Sequence, residues 1–228
     1  MNAETQRTVP EPTLKRLPLY HRCVKDLERR GQALVSCTDI GAALTLDPTQ
    51  VRKDLEAAGI EGRPRIGYAV AAVVDGIEDF LGWKQVNEAF LVGVGSMGSA
   101  LLGYRKFEDC GLKIVAAFDV DPNKIGLKVH GKHVLPLAKL SDLAARMHVL
   151  IGIITVTAEA AQEVADLMVA GGIRAIWNFA PIRLQVSEQV IVHNEDLYVS
   201  LASLSQKLGR ALGTQNPQAA RPLTTTKP

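Results

Sequence analysis

Apolar positions fall into two textures along this chain. From residue 13 to about 82 they recur every three or four positions, as amphipathic helices require, with one glycine-punctuated stretch near 59–68. From residue 88 to about 198, short continuous apolar runs alternate with amphipathic stretches, the pattern of βα units around a parallel sheet. The runs Ala89–Val94, Lys113–Phe118, Val149–Thr155, Ala175–Asn178 and Val190–Val192 predict strands. Helices are predicted over 96–109, 141–147 and 158–170, the last stopped by Gly171-Gly172. The stretch from Gly82 to Asn87 reads as the connection between the two parts. A further periodic helix runs from about Ser200 to Leu212, and the Pro-, Thr-, Gln- and Ala-rich residues after it predict a disordered tail over 214–228.

Within the first part, Ser36-Cys37-Thr38-Asp39 is a helix start, and the helix it opens places Ile40, Ala43 and Leu44 on one face. A turn at Thr45-Leu46 follows. Asp47 then caps a second helix with Pro48 at its first position, running to about Ala57 with Val51 and Leu55 turned inward. Thr49, Gln50, Arg52 and Lys53 are left outside. This is the layout of a helix-turn-helix whose second helix enters the major groove, where Arg reads guanine, Gln reads adenine and Lys neutralises phosphate. The basic piece Gly62-Arg63-Pro64-Arg65-Ile66-Gly67-Tyr68 predicts a wing, with Arg63 and Arg65 toward the DNA backbone or minor groove. The bland alternative is a solvated Arg-Lys pair on an ordinary helical domain.

The second part opens on Phe90-Leu91-Val92-Gly93-Val94-Gly95-Ser96-Met97-Gly98, a buried strand running into a G-x-G-x-x-G turn. The first glycine allows the tight turn, the second lets backbone N–H groups approach a pyrophosphate, and the third lets helix and strand pack closely. About twenty residues on, a second apolar run ends in Asp119, placed to accept from both hydroxyls of an adenosine ribose and to repel a 2′-phosphate. The combination predicts binding of NAD, as NADH and NAD⁺, in preference to NADP.

Composition changes this picture little. The chain has 228 residues, 47% hydrophobic and 22% charged, with a net charge of +2 that does not by itself call for nucleic acid. Three cysteines without metal-ligand spacing read as free thiols, and no apolar stretch has the length of a membrane span, so a cytoplasmic protein is expected. His130 and His133 find no further ligands, so no metal is expected.

Five motifs in order go beyond pattern: Val51-Arg52-Lys53-Asp54-Leu55; Gly67-Tyr68-x-Val70; Gly93-x-Gly95-x-x-Gly98-x-Ala100-Leu101; Phe118-Asp119-x-Asp121-Pro122-x-Lys124-x-Gly126; and Asn178-Phe179-Ala180-Pro181. Together they resemble the Rex family of redox-sensing transcriptional repressors over roughly residues 9 to 212. The resemblance implies an α/β chain. Its parts would be an N-terminal winged helix-turn-helix domain (9–82), a C-terminal Rossmann domain with a doubly wound parallel sheet (88–198), and a swapped dimer-exchange helix (199–213). It implies a homodimer on double-stranded, inverted-repeat operator DNA. NADH binding would close the dimer and release it from the operator.

The cofactor positions carried over are Gly93 to Gly98, Asp119, Val120, Lys124, Thr155, Val156, Asn178, Phe179 and Ala180. Arg22, Tyr104 and Asp196 match a switch network, Tyr104 near the nicotinamide and Arg22 paired with Asp196 in the NADH-bound form. The chain departs from the family at Glu56-Ala57-Ala58-Gly59, which lacks an aromatic, in the wing order Arg63-Pro64-Arg65, and at Leu197, where an aromatic is usual. The rival readings are an NAD-dependent oxidoreductase and a nucleotide- or CoA-binding regulatory subunit. No acid/base pair suited to hydride transfer supports the former.

Overall fold

The computed structural model describes residues 9–212, so the tail expected over 214–228 lies outside the described residues. Two compact units share the chain. The first takes the residues up to Asn87 together with Tyr104–Lys113; the second takes Glu88–Gly103 and the residues from Ile114 onward.

In the first unit, α1 (Glu11–Arg29) buries Thr13, Leu17, Tyr20 and Val24 along one stripe. Strand β1 (Leu34–Val35) leads into α2 (Cys37–Leu44), where Ser36 and Asp39 form a reciprocal capping box. Helix α2 stops at Thr45, which adopts a left-handed φ of 56°. Helix α3 (Pro48–Ala57) follows, with the Asp47 carboxylate accepting from Thr49 N at 2.6 Å. The inward face of α2 is Ile40, Gly41 and Leu44. Ala43, expected to pack inward, is exposed. Gly41 takes that place because α3 comes so close: a Cβ there would stand 2.7 Å from Leu46 O and meet Pro48.

Strand β2 (Tyr68–Ala69) pairs antiparallel with β1, and α4 (Val70–Phe80) closes a core in which Leu17, Tyr20, Val24, Ile40, Val51, Leu55, Val73 and Ile77 are fully buried. Each such side chain contributes about 1.5–3 kcal/mol on burial.

One buried charge crosses this core. Asp54, 1% exposed, sits on the inward face of α3 and collects donors from α1: Arg16 Nε at 2.6 Å and Nη2 at 2.9 Å, Tyr20 OH at 2.7 Å and Thr13 Oγ1 at 2.8 Å. Gln50 adds an amide donor at 2.9 Å. Burial pushes the carboxyl up, but the hydrogen bonds from Arg16, Tyr20, Thr13 and Gln50 outweigh it and hold the pKa at about 2. The network fixes the rotation and height of α3 against α1.

The second unit is built on a seven-stranded sheet of order β5-β6-β4-β3-β7-β8-β9. In chain order its elements are β3 (Asn87–Val92), α5 (Ser96–Leu102), β4 (Leu112–Asp119), β5 (Lys128–Val129), β6 (Lys132–Pro136), α6 (Leu140–Met147), β7 (Ile151–Ile154), α7 (Ala158–Ala170), β8 (Ala175–Asn178), β9 (Ile191–Asn194) and α8 (Leu197–Ala211). Strands β3, β7, β8 and β9 run parallel, as do β4 and β6. This is the doubly wound order, which reverses beside β3 and puts a ligand crevice at that strand's carboxyl end.

Two expectations are corrected. The helix over 96–109 ends at Leu102. Gly103 caps it beneath the His130 ring, which lies 2.9 Å from where a Cβ would stand, and a 3₁₀ turn over Arg105–Cys110 belongs to the first unit. The β5–β6 hairpin was not foreseen; its His130-Gly131 loop has both φ angles positive, at 48° and 80°, as a tight two-residue hairpin requires.

Replacing Asp54 with Ala strands a buried guanidinium and a tyrosine hydroxyl. It should lower the stability of the first unit by about 3–5 kcal/mol in urea unfolding at neutral pH. The folded pKa lies below the unfolded value of about 3.9, so the contribution is complete above that value and fades as pH falls through about 2. Unfolding of Asp54→Ala indistinguishable from the parent would contradict the assignment.

Candidate functional site

The glycine turn is assembled from the ends of three strands. Gly93 has φ +98°, and a Cβ on it would stand 2.6 Å from Thr155 O. A Cβ on Gly98 would collide with Gly93 O and stand 2.8 Å from Thr155 Oγ1, so helix and strand are packed as closely as backbone allows. A Cβ on Gly95 meets nothing within 4 Å. Gly95, Ser96 and Met97 are exposed, and the first N–H groups of α5 have no intrahelical acceptor. Open space above unpaired amides is what a pyrophosphate needs, and the turn fits one.

Asp119 closes the turn from β4. It is 7% exposed and accepts from Val94 N at 2.7 Å, Asp121 N at 2.9 Å and Lys124 Nζ at 3.1 Å. Burial opposes its charge, yet the Asp121 and Val94 amides and the Lys124 ammonium together hold its carboxyl below the usual range. It is therefore ionised and already oriented, and it also ties down the loop. Val120, next along, is 72% exposed.

The cofactor positions Thr155, Val156, Asn178, Phe179 and Ala180 lie at or just past the paired ends of β7 and β8, Ile154 and Asn178. Here the polar side chains turn into the fold. The Thr155 hydroxyl lies 2.7 Å from Gly93 O and 3.0 Å from Val92 O, and so is committed to the glycine turn. The Asn178 side chain is fully buried. Its amide reaches Ile182 O and Asn194 Oδ1, each at 2.9 Å, and its oxygen accepts from Ala180 N at 3.0 Å. Both residues brace the strand ends. Val156 and Phe179 remain half-buried, the latter packed on Trp177 with ring centres 4.9 Å apart, and Ala180 is buried.

The first unit presents the second candidate surface. Thr49, Arg52 and Lys53 are exposed on α3; Arg52 makes only a loose 3.8 Å pair with Glu56. Gln50, expected outside, is half-buried with its amide on Asp54, because that buried carboxylate lies one turn further along α3. The wing is a tight hairpin: Arg63 N donates to Gly67 O at 2.8 Å, Gly67 N returns to Arg63 O at 2.9 Å, and Arg65 at the tip has φ +64°. Arg63 and Arg65 are exposed. Tyr68 roots the hairpin under Gly62; burial, then the Cys37 thiol, pushes its phenol up to about 12 despite the nearby Arg52.

The three switch positions are divided between the two units. Arg22 is exposed on α1 in the first unit. Tyr104, expected on the helix after the glycine turn, lies beyond its end, half exposed and edge-on to Phe107 at 4.8 Å, also in the first unit. Asp196 belongs to the second unit, where it caps α8 by accepting from Tyr198 N at 2.8 Å and Val199 N at 3.2 Å. That cap is why α8 starts at Leu197 and not at Ser200. Sequence reasoning gave no role to Asp54 and Arg16. The available signal was a carboxylate placed between Val51 and Leu55 on a buried stripe, which demands a cation.

Burial and neighbouring carboxylates push the Cys23 and Cys110 thiols up, and all three cysteines are free. Among the described residues no group of three or more His, Cys, Asp or Glu could hold a metal. No described helix is long and apolar enough to cross a membrane.

Residues 84–182 match the "CoA binding domain" family, and residues 8–56 match "Putative DNA-binding protein N-terminus". The redox-sensing transcriptional repressor Rex of Bacteroides thetaiotaomicron is 45% identical over 88% of this chain and 91% of its own. That of Treponema denticola is 43% identical over 87% and 95%. Among solved structures, RSP in complex with β-NAD⁺ and operator DNA superimposes with a TM-score of 0.84 at 32% identity, covering 90% of this chain and 95% of that one. RSP in complex with β-NADH gives 0.81 at 31%, over 91% and 97%. With both units, the glycine turn and its acid in place, this chain belongs to the Rex family of redox-sensing transcriptional repressors.

Proposed function

We propose that this chain represses transcription as a homodimer whose hold on operator DNA is set by the NADH/NAD⁺ balance. The observation that carries this is the joining, in one chain, of an exposed, braced α3 with a wing to a glycine turn closed by an ionised acid. Arg52 and Lys53, with Thr49, are assigned to the major groove, and Arg63 and Arg65 to the adjoining backbone. Gln50 is assigned there only through a rearrangement that frees it from Asp54. Two-fold symmetry then calls for an inverted-repeat site with half-sites a helical turn or a multiple apart.

In the second unit, Gly93 to Gly98 are assigned to the pyrophosphate, and Asp119, Val120 and Lys124 to the adenosine. Thr155, Val156, Asn178, Phe179 and Ala180 are assigned to the nicotinamide end. The cofactor supplies a ring that is neutral and puckered when reduced, cationic and planar when oxidised. Since Thr155 and Asn178 turn their polar groups into the fold, Val156, Phe179 and Ala180 present a largely apolar wall. Such a wall disfavours taking a cation out of water and so favours the reduced form. Arg22, Tyr104 and Asp196 are assigned to the switch between the two dimer states. A cytoplasmic location fits free thiols and access to both DNA and the dinucleotide pool.

The dimer is supported by α8. Leu197, Leu201, Leu204 and Leu208 recur at helical spacing and are 59%, 59%, 64% and 55% exposed, an apolar stripe that none of the other described residues covers. The domain limits 9–82, 88–198 and 199–213 are retained as functional parts, with Tyr104–Lys113 joining the first compact unit.

Replacing Leu201 and Leu204 together by Asp should convert a sedimenting dimer to monomer and abolish operator binding; a persistent dimer removes α8 from the interface. Fluorescence anisotropy on a labelled inverted repeat should show release by NADH at concentrations where NAD⁺ does little. Arg52→Ala should weaken operator binding by about 1–3 kcal/mol, roughly five- to 150-fold, with NADH affinity intact. Loss of both activities would mean that Arg52 is structural.

A further inference from the structure

A carboxylate has about four lone-pair positions, two on each oxygen. On Asp119 three are filled: Oδ2 by Val94 N at 2.7 Å and Lys124 Nζ at 3.1 Å, and Oδ1 by Asp121 N at 2.9 Å. A ribose diol asks this group for two acceptors, and one position is left. Of the three donors in place, two are backbone amides anchored by the strand ends and cannot withdraw. Only the ammonium, on a flexible four-carbon stem and 36% exposed, can leave.

It has somewhere to go. Asp121 Oδ2 stands 3.8 Å from the same Nζ, while Asp121 Oδ1 is engaged by Asn123 N at 2.9 Å and Nδ2 at 3.1 Å in the turn that carries Lys124. That turn is fixed by Lys124 N on Asp121 O at 3.0 Å, so the stem starts from a set point between the two carboxylates.

Resting on the assignment of the turn to an adenine dinucleotide, we propose that Lys124 sets the discrimination between unphosphorylated and 2′-phosphorylated cofactors. In the nucleotide-free chain it fills the second ribose position on Asp119. When the diol takes that position it shifts to Asp121. A 2′-phosphate at the same place meets the negative charge of Asp119, but also a cation within reach. Asp119 therefore excludes the phosphate only in part, and Lys124 is a latent phosphate ligand that Asp119 keeps occupied.

The test is binding of NADH and NADPH to the full chain, read by reduced-nicotinamide fluorescence and by competition. Asp119→Asn keeps an acceptor for one of the two loop amides and removes the charge. It should raise NADPH affinity relative to NADH by about tenfold or more, and adding Lys124→Met should abolish the gain. Equal NADPH binding by Asp119→Asn and by the double variant overturns the proposal. Should Asp119→Asn fail to fold, Lys124→Met alone decides: NADPH must lose ground against NADH, and an unchanged ratio overturns the proposal. NADH binding by the unsubstituted chain separates the two levels, because its absence defeats the dinucleotide reading itself.

Discussion

The carboxylate of Asp119 is the point on which the second unit depends. Its bond to Val94 N holds the glycine turn at the end of β3, and its bond to Asp121 N holds the following loop at the end of β4. The turn has no slack elsewhere, since Gly93 and Gly98 are pressed against Thr155 and against each other. The same ionised acid is the one assigned, in the proposed function, to the ribose of the dinucleotide. On that assignment, structure and recognition draw on one charge.

Asp54 plays the corresponding part in the first unit. A buried charge with five donor contacts is a costly way to stabilise a helix pair, because desolvation offsets most of the attraction. What it gives is definition: α3 can sit in only one rotation against α1 if Arg16, Tyr20 and Thr13 are all to be satisfied. On the proposed reading, in which α3 presents Arg52 and Lys53 to base edges, that definition matters more than extra stability. The acid-side sensitivity of this unit is its consequence.

Much of this was legible in the order of residues. Ser36 with Asp39, and Asp47 with Pro48, announce two helices because caps act over three residues, and the glycine turn announces itself because only backbone can occupy its contacts. What escaped was set by distant partners. Arg16 and Asp54 are 38 residues apart, so nothing local links them, and Gln50 turns inward only because the carboxylate one turn along is held buried by those distant donors. Helix α5 stops at Leu102, and Gly103 after it lies under a histidine from a hairpin too short and polar to read as strands. Thr155 and Asn178 carry the residue types of a polar pocket, and only the fold reveals that their polar atoms serve the backbone.

The two units gain their purpose from being linked. Shifting a dimer from 1:99 to 99:1 between its DNA-binding and released states takes about 5.5 kcal/mol of differential binding, which two cofactor sites can share. Linkage then requires the coupling to run both ways. The decisive measurement is NADH affinity for the dimer with and without saturating operator DNA at fixed salt. The account predicts that the operator weakens NADH binding by the same factor by which NADH weakens operator binding. An NADH affinity indifferent to the operator would contradict it.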